Sequence, residues 1–144
     1  MKKVNPIKVL LIEDDKPTAK IFTDYFSQLP TFEIVAVAEG STEAIQMTKE
    51  HQPSVVLIDI SLREGDGTEY VEELMQGELG KSLPFRPYTL IITQYDTDSI
   101  RDTLDGFGVD CFFAKDEIDF SAGAVAEHMI KIEDDLPRLK AVAV

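Results

Sequence analysis

The chain has 144 residues, a formal net charge of -13 and a single cysteine, Cys111. That length fits one domain with an ordinary core, the lone thiol excludes an internal disulfide framework and fits a reducing compartment, and the acidity disfavours non-specific attraction to nucleic acid or anionic membrane. No apolar stretch approaches the roughly 20 residues of a membrane span, and Met1-Lys2-Lys3-Val4-Asn5-Pro6 lacks an apolar signal-peptide core, so a cytoplasmic chain with no membrane partner and no direct nucleic-acid binding is expected.

Strand-like and helix-like segments alternate. Ile7–Ile12 reads as a strand, and Pro17 near a helix start leads into Ile21, Phe22, Tyr25, Phe26 and Leu29 at helical spacing, until Leu29-Pro30 ends the helix. A second strand runs over about Glu33–Ala38. Ser41 is the expected N-cap of a helix carrying Ala44, Ile45 and Thr48, which Gln52-Pro53 stops. The apolar run Val55-Val56-Leu57-Ile58 makes a buried third strand with Asp59 at its tip, and Gly67-Thr68 opens a helix with Tyr70, Val71, Leu74 and Met75 on one face.

Gly77, Gly80, Pro84 and Pro87 then break any regular period, which predicts a connection of about a dozen residues, long for this position. Tyr88–Thr93 is the fourth strand. Asp96-Thr97 can cap a helix bearing Ile100, Leu104 and Phe107, with Gly108 suited to its C′ position. Val109–Ala114 is the fifth strand, and Cys111 within it reads as a buried structural thiol. A last helix from Ser121 to about Ile132 presents Val125, Ala126, Met129 and Ile130, and Pro137 ends the pattern.

Five consecutive strand–helix units imply a parallel sheet covered on both faces. Right-handed crossovers restrict it to a doubly wound α/β fold, five strands in the order 2-1-3-4-5 with five helices, whose site lies at the carboxyl ends of strands one and three. There Glu13, Asp14 and Asp15 stand beside Asp59, with Thr93 and Lys115 at the ends of strands four and five. Clustered carboxylates repel one another unless a cation sits among them. All-oxygen ligands of short reach fit Mg²⁺, which keeps some waters and bridges carboxylates to phosphate. Asp59 is then placed as a nucleophile that forms an aspartyl phosphate, with the Lys115 ammonium and the Thr93 hydroxyl on phosphoryl oxygens.

The strings Val9-Leu10-Leu11-Ile12-Glu13-Asp14-Asp15, Leu57-Ile58-Asp59 with Gly67 eight residues on, Ile92-Thr93, and Phe112 three residues before Lys115 resemble the receiver domain of two-component response regulators, the CheY-like, flavodoxin-like fold. The resemblance runs from about Lys8 to Ile132. It implies that Asp59 is the phosphoacceptor, supplied by a sensor histidine kinase or a histidine phosphotransfer protein. It also implies that Asp14 and Asp59 bind Mg²⁺ directly with the backbone carbonyl of Ser61, and that Glu13 acts through water. Asp15 has two readings, a metal role or the cap of the first helix. Thr93 and Phe112 resemble the switch pair that remodels the face of the fourth helix, fifth strand and fifth helix. That face serves a downstream protein target, a fused output domain or a homodimer.

Departures from the family pattern also carry expectations. Asp116 follows Lys115 where a proline is usual and can draw some of the lysine's charge, Gln94 follows Thr93 where a small residue is usual and can overhang the site, and Arg63 stands where proline is frequent. A flavodoxin-like FMN carrier is disfavoured because Glu13-Asp14-Asp15 would repel the cofactor phosphate. A haloacid-dehalogenase-type phosphatase needs a second Asp where Ser61 stands. A phosphorylation-independent interaction module and the excised receiver of a DNA-binding transcription regulator are the alternatives. Residues 1–135 are read as the receiver and 136–144 as a C-terminal tail or the start of a linker.

Overall fold

Apolar runs can sit only where both faces of a sheet are covered, and three such runs form its centre. In the computed structural model, which describes residues 5–60, 66–93, 102, 105–114 and 121–136, they are β1 (Ile7–Ile12), β3 (Val55–Ile60) and β4 (Tyr88–Thr93). β2 (Phe32–Ala38) and β5 (Cys111–Ala114) are the edges. The order is β2-β1-β3-β4-β5 and every pairing is parallel, as the alternation of elements predicts. Between β1 and β2 the register passes from Val9 opposite Ile34 to Leu10 opposite Ala36, leaving Val35 as an extra residue in the edge strand.

Alternation along each strand feeds two cores. On one face Val9, Leu11, Leu57, Leu90 and Ile92 pack against Phe22 and Phe26 of α1 (Lys16–Ser27) and Val125 and Met129 of α5 (Ala122–Ile132). On the other face Leu10, Ile12, Val56, Ile58 and Ile91 meet Ala44 of α2 (Ser41–His51), Tyr70, Val71 and Leu74 of α3 (Asp66–Gln76) and Leu79 of α4 (Glu78–Ser82). Each of these large side chains, fully buried, contributes about 1.5–3 kcal/mol, so the central strands dominate the stability. Leu136, after a 3₁₀ turn at Glu133–Asp135, closes the first core.

Several expectations need correction. The connection after α3 is not structureless. It contains α4, a helix beyond the five expected, whose Leu79 is buried and so anchors the segment to the second core. Gly80 permits this, because a Cβ there would lie 2.0 Å from the Leu74 carbonyl oxygen. Asp102 and Asp105–Phe107 are also helical, whereas Ile100 and Leu104 lie outside the described residues. Gly108 follows with a φ of 88°, the left-handed geometry expected at that helix end.

On α1 the sheet-facing stripe is Ala19, Phe22 and Phe26, and Ile21 and Tyr25 are exposed instead. On α5 Ile130 is likewise exposed. At α2 the N-cap is Gly40, in extended conformation. Ser41 is already helical, and its buried Oγ makes no hydrogen bond among the described residues. β5 begins at Cys111 rather than Val109, and Cys111 is half-buried rather than fully buried. A hydrogen bond of 2.7 Å between the buried Thr48 Oγ1 and Tyr70 Oη ties α2 to α3. Burial pushes the Tyr70 phenol far above its ordinary range, so it stays protonated.

Replacing Gly80 by Ala should force α4 off α3 and cost about 1–3 kcal/mol. The expected readout is a lower urea midpoint with an unchanged m-value, and an unshifted midpoint would contradict the close approach at Leu74.

Candidate functional site

In a doubly wound sheet the strands carry charge where they leave the core, and the ligand site lies at their carboxyl ends. Glu13 immediately follows β1. Its backbone N–H donates to the Ala38 carbonyl at 2.9 Å, which fixes it against the end of β2, and its side chain is only 4% exposed. Asp14 is exposed, and Asp59, next to last in β3, is half-buried. Ile12 pairs with Ile58, so the acidic residues after β1 and Asp59 lie on neighbouring strand ends. Thr93 is buried, ends β4 and pairs with Ile60, one residue beyond Asp59.

Strand alternation separates these groups by face. Asp59 follows the parity of Val55 and Leu57, which belong to the first core, whereas Thr93 follows Ile91 on the second. Phe112 of β5 pairs with Ile91 and packs against that same second core. Thr93 and the half-buried Phe112 thus share one face on adjacent strands, two register steps apart.

The helix-cap reading of Asp15 is present in the structure. Its carboxylate accepts from the Thr18 backbone N–H at 3.0 Å and from the Thr18 hydroxyl, capping α1 ahead of Pro17. Its own N–H donates to Glu13 Oε2 at 3.3 Å, so the cap also steadies the buried glutamate.

Among the described residues no group of three or more His, Cys, Asp or Glu side chains converges to hold a metal. The donor set expected from the sequence is smaller in side chains, two carboxylates with a backbone carbonyl and waters. Such a set fits Mg²⁺, which is commonly bound by one or two carboxylates while it keeps several waters. The exposure of Asp14 and the half-exposure of Asp59 leave both reachable from solvent. Ser61, Arg63, Gln94, Lys115 and Asp116 lie outside the described residues.

The comparisons with known proteins agree with this architecture. Residues 9–121 match the family model described as the response regulator receiver domain, and the chain belongs to that family. The C4-dicarboxylate response regulator DctR of Priestia megaterium is 32% identical over 66 residues, which cover 46% of this chain and 29% of that protein. The transcriptional regulatory protein DpiA of Escherichia coli K12 is 30% identical over 71 residues, covering 49% of this chain and 31% of that protein. The matched segment is thus a third or less of each relative's length.

In fold, the response regulator domain of Thermotoga maritima CheB superposes with a TM-score of 0.71 at 19% identity, covering 90% of this chain and 95% of that one. The receiver domain of the response regulator NarL from Mycobacterium tuberculosis gives 0.70 at 20% identity, covering 89% and 98%. No helix among the described residues is long and apolar enough to cross a membrane.

An Asp15→Ala variant should lose about 1 kcal/mol of stability with its helix cap, while Mg²⁺ binding followed by NMR titration stays unchanged. Weakened Mg²⁺ binding would return Asp15 to the metal set.

Proposed function

We propose that the chain accepts a phosphoryl group on Asp59 and relays that event to a protein-interaction face. The observation that carries this reading is the half-exposed Asp59 at the carboxyl end of β3, flanked by the acidic residues after β1 and by Thr93 ending β4. A carboxylate there is accessible to a donor yet held by a strand that is otherwise buried, which is the positioning a nucleophile needs.

A carboxylate oxygen of Asp59 attacks the phosphorus of a phosphohistidine. The new O–P bond forms as the N–P bond breaks, and the electron pair leaves with the donor's imidazole. Asp14 and Asp59, with the Ser61 carbonyl, would hold Mg²⁺, and Glu13 would orient its water. When bound, Mg²⁺ supplies positive charge that offsets the repulsion between the carboxylates and the incoming phosphoryl oxygens. Lys115 neutralises another phosphoryl oxygen as a compact charge, and the Thr93 hydroxyl donates to a third. An aspartyl phosphate is thereby stabilised largely by electrostatics.

Thr93 and Phe112 are the switch pair in this reading. Drawing the Thr93 hydroxyl towards the phosphoryl group opens space on the face that both residues share, and the half-buried Phe112 ring can enter it. A phosphate adds about 1.5–2 negative charges, enough to bias such a two-state element. The donor is a sensor histidine kinase or a histidine phosphotransfer protein. The output is a downstream protein or a fused domain, reached through the helix before β5, β5 itself and α5, a face that also suits a homodimer. Because DctR and DpiA are regulators matched over less than a third of their lengths, a transcription-regulator output is the second reading.

Intact-mass measurement after incubation with acetyl phosphate and Mg²⁺ should show one hydroxylamine-labile phosphoryl adduct, absent in Asp59→Asn and in EDTA. No adduct in the native chain would favour a phosphorylation-independent module. Gln94 bears on the lifetime of that adduct. If its side chain overhangs the site, Gln94→Ala should shorten the acyl-phosphate lifetime several-fold by admitting water, and an unchanged lifetime would remove this role.

A further inference from the structure

Among the described residues, three large apolar side chains stay exposed: Ile21 at 52%, Tyr25 at 45% and Ile130 at 46%. All three lie on α1 and α5, which pack together over the first core. The Tyr25 ring lies against the start of α5, where a Cβ on Gly123 would stand 3.2 Å from its Cε1. Ile130 follows Gly123 by two helical turns and so borders the same side of α5. Apolar residues scattered singly need no explanation, whereas a shared face marks an interaction site.

Charge limits what can cover this face. The chain carries a net charge of -13, so two copies repel one another over much of their surface. α3 exposes Glu69, Glu72 and Glu73 and contains no lysine or arginine. α1 differs, with Lys16 and Lys20 against Asp24 as its one acid. On α5, Glu127 is matched by Lys131. The exposed apolar side chains thus stand where two acidic chains can meet without net repulsion.

We propose that α1 and its border with α5 form a contact between two copies of this chain, related by a two-fold axis that crosses α1 beside Phe22 and Thr23. Two rows of residues carry the argument. Ile21 and Tyr25 make an apolar row, and Lys20 and Asp24 make an ionic one, joined at 3.0 Å with side chains 75% and 61% exposed. Positions four apart lie above one another on a helix, so the two rows run next to each other. A two-fold axis between antiparallel copies of α1 brings position 21 opposite 25 and position 20 opposite 24. Ile21 of each chain then meets Tyr25 of the other, and Lys20 meets Asp24 of the other, so the surface is complementary to itself. Interdigitated rows of this spacing are the commonest way for two helices to pack.

Ile130 extends the apolar surface onto α5. The apolar row supplies the attraction, while the ion pairs, exposed and weak on their own, set the register. Three large side chains per copy place this contact among weak, transient interfaces. It is centred on α1, which separates it from the β5 face considered above, and it does not rest on phosphorylation of Asp59.

Sedimentation equilibrium of the full chain tests the contact, without phosphoryl donor or Mg²⁺, from about 10 μM to about 1 mM protein at about 0.15 M salt. The weight-average mass should rise from 16.1 kDa towards twice that value. Ile21→Ser and Lys20→Asp, both at exposed positions, should each raise the dissociation constant several-fold, with melting curves confirming that each variant is folded. Combining Lys20→Asp with Asp24→Lys restores opposite charges across the axis and should recover the native constant to within about two-fold. A chain that stays at the monomer mass throughout, a dimer indifferent to Ile21→Ser, or a double variant as weak as Lys20→Asp alone would overturn the contact.

Discussion

Burial of β1, β3 and β4 on both faces is the constraint on which the rest of the molecule depends. A strand so enclosed has all its backbone groups satisfied by neighbouring strands and its side chains by apolar partners, and it can carry ionised groups only where it leaves the core. The chemistry of the chain therefore concentrates at one edge. Asp59 keeps part of its surface in solvent because β3 is about to end, and Glu13 stays buried because β2 still lies beside it through Ala38. The same constraint separates the two faces. The phosphoacceptor candidate follows the parity of the first core, while Thr93 and Phe112 follow that of the second.

The second core is closed by features that act together. Thr48 and Tyr70 satisfy each other in a setting where an unpaired hydroxyl would cost about 1–3 kcal/mol. α4 then folds back so that Leu79 covers the end of this core, at the price of a position where only a residue without Cβ fits. The inserted segment thus acts as packing for α3 rather than as a loose loop.

Much of this was legible in the sequence, for physical reasons that differ by element. The central strands announce themselves because double burial demands unbroken apolar runs, the handedness of the crossovers restricts them to a doubly wound sheet, and 2-1-3-4-5 is a common order for five such strands. The carboxylates at the ends of β1 and β3 were legible from the same runs. What escaped was whatever depends on the third dimension. Spacing alone does not tell which of two adjacent stripes faces the sheet: Ile21 and Tyr25 share the helical spacing of Phe22 and Phe26, yet Ala19, Phe22 and Phe26 fill that place. Glycines at 77 and 80 look like helix breakers until the approach to Leu74 is seen. Ser41 has cap chemistry, yet the backbone turns one residue earlier, at Gly40. The hydrogen bond of 3.0 Å between the Tyr88 hydroxyl and His128 Nε2 joins residues 40 apart and leaves no periodic trace.

The extra residue at Val35 has a consequence for how the molecule keeps to itself. β2 is an open edge of mostly aliphatic residues, the kind of strand on which another chain could continue the sheet. An inserted residue interrupts the even spacing of N–H and C=O groups along that edge and adds local twist. An incoming strand would find its ladder out of step after a few residues. The irregularity in the edge strand thus works as a guard against unwanted sheet growth, where the acidic surface alone would leave the backbone available.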